Sequence, residues 1–195
     1  MAQKEDLGLF QTQIQTNVSF TSFFSAVVIF FVGLLLSKFE TYDLSIKVPI
    51  TFLIISVFGF LYATLVFANA SEEISQKRVE KFKKHMLLGD ALSEYLGIYM
   101  LVLSMPLAIN VITTDTFLRA ATISSALIGL AIYQFSHFSV LERHFKQTHY
   151  LISTAIIASG IILYLAQIYS YYFIQLATLF IVFIALITYL ASKKN

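Results

Sequence analysis

Apolar residues in this chain come in six long runs, not in the alternating or one-faced patterns of a water-exposed protein. The runs cover roughly 18–37, 48–69, 91–112, 116–138, 150–168 and 171–191. Each is close to the ~20 residues that a helix needs to cross about 30 Å of hydrocarbon. The first and the last carry no charged residue at all. Pro49 opens the second run, in a first helical turn where a missing N–H costs nothing. Pro106 falls inside the third and predicts a helix kink with a freed carbonyl at Val102. Only Tyr169 and Ser170 separate the last two runs, so these form a helical hairpin. The pattern predicts an all-α, polytopic membrane bundle of six transmembrane helices, with residues 1–195 as a single integral membrane domain.

The polar positions add two further elements. Residues 71–89 (SEEISQKRVEKFKKHMLLG) are the longest polar stretch and read as a cytoplasmic amphipathic helix between spans two and three. Ser71 can cap it, Glu72 and Glu73 suit its first turn, and Glu73–Lys77 and Glu80–Lys84 are spaced for i,i+4 pairing. Val79, Phe82 and Met86 give it one narrow apolar stripe; Gly89 can end it and Asp90 can cap the third span. Its cations, Lys77, Arg78, Lys81, Lys83 and Lys84, offer a surface for anionic lipid headgroups or a soluble partner. Near the start, Leu7, Phe10, Ile14 and Val18 recur every three or four residues, which predicts a short helix on the inner membrane surface.

Charge sets the orientation. Of the 13 Lys and Arg, ten fall on the side of both termini and three (Lys38, Lys47 and Arg119) on the other. The bias places both termini in the cytoplasm of a multi-pass protein of the cell membrane. The acidic start, with Glu5 and Asp6 beside Lys4, does not resemble a cleaved signal peptide.

Composition removes several function classes. Hydrophobic residues make up 58% and charged residues 12%, against about 45–50% and about 25% in soluble domains. That leaves too little polar surface for a soluble enzyme or a disordered regulator. The net charge of +2 gives no field for nucleic acid, and the basic run is broken by Glu80 and holds one Phe. The absence of cysteine excludes disulfides, thiolate metal sites and thiol nucleophiles.

Candidate chemistry concentrates on the inner side. No ionisable residue falls at the centre of a span: Glu94 lies one turn into the third, and Arg119 one turn into the fourth, where it can snorkel or pair with Asp115. Asp90 and Glu94, four apart, share a helix face at the depth where the fourth span ends in Tyr133, His137 and His144. These last three lie within about 40° of one another around a helix. If the two spans are neighbours, Glu94, His137 and His144 make a candidate divalent-metal site or a proton-exchanging pair. The competing interpretation is ordinary: His, Tyr and charged side chains gather wherever a span meets headgroups, and neither H-E-x-x-H nor paired E-x-x-H is present. No cofactor is expected otherwise. No nucleophile elbow or phosphate loop is present either, which favours a non-catalytic protein.

Small residues mark where helices can approach. Ala121, Ser125 and Gly129 recur every four residues in the fourth span, and Ala155 and Ser159 do so in the fifth. They predict fourth-on-fifth packing, or assembly with a second copy or another membrane protein. Three functions follow in order. The first is a structural or accessory subunit of a homo- or hetero-oligomeric membrane complex. The second is a small channel or permease. The third is a membrane-embedded enzyme or metal-handling protein using the His/carboxylate cluster.

Overall fold

The computed structural model describes residues 2–76, 78–135, 148–170 and 172–193, with side chains over the same residues apart from 2–7, 9, 134–135 and 148–150. It is 93% helical, without strands among the described residues, and six helices are long and apolar enough to cross a membrane. Helix α1 (Ala2–Ser37) leads through two short 3-10 turns, Phe39–Thr41 and Leu44–Ile46, into α2 (Lys47–Ser75). Next comes one continuous rod made of α3 (Val79–Ala91), a π-helical segment (Leu92–Tyr99) and α4 (Met100–Ile112). Helices α5 (Thr116–Phe135), α6 (Thr148–Ile168) and α7 (Phe173–Lys193) complete the chain. The α6–α7 hairpin is as tight as its spacing requires, and Ser170 and Tyr172 both take positive φ in the turn.

Two elements differ from expectation. No separate surface helix precedes the first span, because α1 runs unbroken from Ala2 to Ser37. Its apolar stripe finds protein instead of lipid: Ile14 is buried among Ala63, Phe67, Ala70, Ile74, Phe82 and Met86. The Phe10 ring meets Phe82 edge-on at 5.1 Å. Residues 71–89 likewise do not form a helix of their own. Ser71 to Ser75 finish α2, so Glu72 and Glu73 lie in a last turn and not a first. No new helix starts at Asp90, since α3 runs through Gly89, whose missing side chain makes room for the Phe67 ring, 2.5 Å from where a Cβ would stand.

At 1.5 Å per residue the rod is about 51 Å long and α1 about 54 Å, well beyond the ~30 Å of hydrocarbon. At the end bearing the chain's start, α1, α2 and α3 pack as a small three-helix bundle around Ile14, Phe67 and Phe82. Position in sequence therefore understates how enclosed a residue is at that end.

The rod is the hub. Tyr95, Tyr99, Met100, Leu103 and Leu107 are at most 2% exposed and share one cluster with Phe52 of α2 and Phe180 of α7. Helix α2 approaches most closely: a Cβ on Gly59 would stand 2.7 Å from the Gly97 nitrogen. A residue without a side chain at 59 permits that approach to the rod's main chain, while Gly97 makes room for the Phe60 ring. Helix α6 reaches the rod at Gly160, against Leu103. Ala126 and Leu130 are the buried positions of α5. The small-residue faces lie elsewhere: Ser125, Gly129 and Ala155 are exposed, Ala121 and Ser159 are half-buried, and nothing lies within 4 Å of a Cβ on Gly129.

Candidate functional site at the π-helical segment

A π-helical stretch closes i→i+5 hydrogen bonds, is rare, and marks functional sites more often than chance. Here it spans Leu92–Tyr99 in the middle of the most buried helix. Helix α2 secures it from one side, where Ser56 donates its hydroxyl to the Gly97 carbonyl at 2.9 Å. Ser56 is itself fully buried.

On this segment and the turn before it, the chain buries two carboxylates. Asp90 is 3% exposed and Glu94 2%. Beside them Tyr95 and Tyr99 stack with ring centroids 6.0 Å apart and an interplanar angle of 21°. From α5, Tyr133 hydrogen-bonds the Glu94 side chain and lies within electrostatic reach of Asp90 and Tyr99. Tyr95 and Tyr133 are therefore neighbours of Glu94, and Tyr99 lies next to both phenols. Removing a carboxylate from water costs several kcal/mol as a rule, so such a pair persists only where partners or a bound positive charge offset that cost. Chemically, the cluster can hold a proton or a small cation.

On the fourth span, the expected partners of Glu94 are the histidines that follow Tyr133; the neighbour described there is Tyr133 itself. His137 and His144 lie outside the described residues, as does Lys77. Among the described residues no three His, Cys, Asp or Glu side chains gather to hold a metal ion. Arg78 pairs with Glu73 at 3.6 Å, while Lys81, Lys83 and Lys84 are exposed. Pro106 is buried inside α4.

A second polar layer, which sequence reasoning did not single out, closes the opposite end of the rod. Gln167 of α6 donates Nε2 to the Leu107 carbonyl at 3.0 Å and accepts from Asn110 Nδ2 at 3.2 Å. Arg119 does not pair with Asp115. Its Nε donates to the Thr113 carbonyl at 2.7 Å and its Nη2 to the Asn110 carbonyl at 2.8 Å. It thereby covers the C-terminal carbonyls of α4, where a cation also suits the helix dipole. Asp115 instead caps α5, accepting from the Leu118 N–H at 2.8 Å. Asn110 lies 16 residues from Glu94 along the rod, about 24 Å.

Comparison of the chain with protein-family models, with curated proteins and with solved structures returned no match.

Proposed function

We propose that this integral membrane protein is a small cation-handling permease, with Asp90, Glu94 and Tyr133 as its ion site. The observation that carries this reading is the burial of two carboxylates, 2% and 3% exposed, on a π-helical stretch of the central helix. An ionisable group enclosed within a membrane bundle is expensive to keep and is retained where it handles charge. A protein serving only as a scaffold has no use for that expense. The ion is a proton or a small inorganic cation, because the site is closed and offers carboxylate and phenol oxygens as ligands.

Farther along the rod lie Ser104, fully buried with its hydroxyl on the Leu101 carbonyl, and Pro106. Having no N–H, Pro106 leaves the Val102 carbonyl without its helical donor and able to accept elsewhere.

Assembly is the second reading, and the exposed small faces on α5 and α6 favour it. Ser125, Gly129 and Ala155 are the residues through which a second copy or another membrane protein would pack. The two readings are compatible, since small permeases commonly work as oligomers.

The test is electrical. The full chain, reconstituted in liposomes on a solid-supported membrane, is challenged with jumps of pH, Na⁺, K⁺ and Mg²⁺. At least one jump is expected to give a current that Glu94→Gln abolishes and Glu72→Gln, altering an exposed residue, leaves intact. Currents indistinguishable from empty liposomes for every ion would sink the reading.

A further inference from the structure

Far from the carboxylates, the chain forms an open pocket of about 890 Å³ among the 3-10 turn at Leu44, the end of α4, Arg119 and the α6–α7 turn. Three polar groups around it are incompletely used. Asp43 gives Oδ1 to the Ser45 N–H at 2.8 Å, and no second hydrogen bond or ion pair is formed by its carboxylate among the described residues. Arg119 spends Nε and Nη2 on carbonyls and meets no carboxylate at ion-pair distance among the described residues. The third is Asn110. The Leu107 carbonyl can only accept, so the Gln167 atom facing it is Nε2, and Gln167 Oε1 must then take the Asn110 amide N–H. That order leaves Asn110 Oδ1, on a residue 9% exposed, as an acceptor with no partner among the described residues.

Asn110 Oδ1 is closed off from the pocket, so the groups that face a ligand there are the exposed Asp43 carboxylate and the Arg119 guanidinium, of opposite charge and not paired with each other. We propose that this pocket binds a primary-ammonium phosphate zwitterion: the phosphate on Arg119, the ammonium toward Asp43. The chemistry is that of an ethanolamine phosphate, either as a lipid headgroup or as a free solute. Placement favours the lipid. The pocket lies where α4 and α6 end, and Tyr169 and Tyr172 at its rim are 70% and 69% exposed, as aromatic side chains at headgroup depth are.

The probes are short-chain phosphatidylethanolamine, phosphatidylcholine and phosphatidylglycerol, with free phosphoethanolamine. Each is titrated onto the detergent-solubilised full chain and read by native mass spectrometry and by the shift in melting temperature. The ethanolamine lipid is expected to bind at least about tenfold more tightly than the choline lipid, whose quaternary nitrogen has no N–H to donate. Asp43→Asn keeps an oxygen for the Ser45 N–H, so the local fold persists. It should weaken ethanolamine binding about tenfold and leave phosphatidylglycerol unchanged, since only the ammonium contact loses its charge. Arg119→Gln should weaken both. Equal affinity for free phosphoethanolamine and its lipid would support the zwitterion and make the solute its source. Equal affinity for all three lipids, no binding of any probe, or an Asp43→Asn variant indistinguishable from wild type would overturn the proposal.

Discussion

Ser56 donates its hydroxyl to the Gly97 carbonyl at 2.9 Å, one helical turn from the place where Gly59 rests against the Gly97 nitrogen. The two contacts seat the π-helical segment directly on α2, backbone to backbone, and so fix the height at which Glu94 is held. Gly59→Ala puts a methyl group against main-chain atoms that cannot swing aside, so the helices must separate. The expected loss is about 1–3 kcal/mol. Ser56→Ala removes one interhelical hydrogen bond, worth about 0.6 kcal/mol on average in membranes. Gly33→Ala, where nothing lies within 4 Å, should be neutral or slightly stabilising. Melting temperatures in one detergent give the order Gly33→Ala, Ser56→Ala, Gly59→Ala from most to least stable, and any other order removes the close-packed seat.

Tyr133 and Glu94 should be coupled. Tyr133→Phe deletes the hydroxyl that bonds Glu94, and Glu94→Gln deletes the charge. In a double-mutant cycle on stability, groups in direct contact couple by about 0.5–3 kcal/mol. Additivity of the two changes would show that the bond contributes nothing.

The docked start of α1 is open to cross-linking, since the chain has no native cysteine to interfere. Phe10→Cys with Phe82→Cys, replacing rings whose centroids are 5.1 Å apart, should join through a short bis-maleimide reagent in native membranes. Gly33→Cys with Phe82→Cys should not. Failure of the first pair, with both thiols reactive singly, would return residues 2–18 to the membrane surface.

Gln167→Leu should cost about 1–3 kcal/mol, because it strands the Asn110 amide and removes the second bond to the Leu107 carbonyl. Adding Asn110→Leu should recover part of that loss, because one stranded amide disappears with it. A double variant less stable than the sum of the two single changes would contradict this pairing.

Much of the architecture was legible in the chain. Six apolar runs, an uncharged first and last span and the two-residue gap at Tyr169–Ser170 anticipate six spanning helices and their final hairpin. Periodicity alone misassigned residues 2–18 and 71–89, because an apolar stripe looks the same whether lipid or protein covers it. Ile14, Phe82 and Met86 cover one another. Asp90 and Glu94 were visible as a pair near one end of the third span, but their burial was not: it depends on how α2, α5 and α7 pack around the rod, a tertiary fact. Tyr95 and Tyr99 carried a weak signal, two phenols four residues apart beside a carboxylate. Nothing in the sequence announced the π-helical turn, which Ser56 and Gly59, more than 30 residues away, contact directly.

The claim that Glu94 is an ion-binding group is tested most directly by infrared difference spectroscopy of the protein in lipid, recorded as each candidate ion is added. For at least one ion the wild-type spectrum should show a carboxyl band change that Glu94→Gln removes and Glu72→Gln preserves. Difference spectra that are the same for wild type and Glu94→Gln with every ion and at every pH would contradict it.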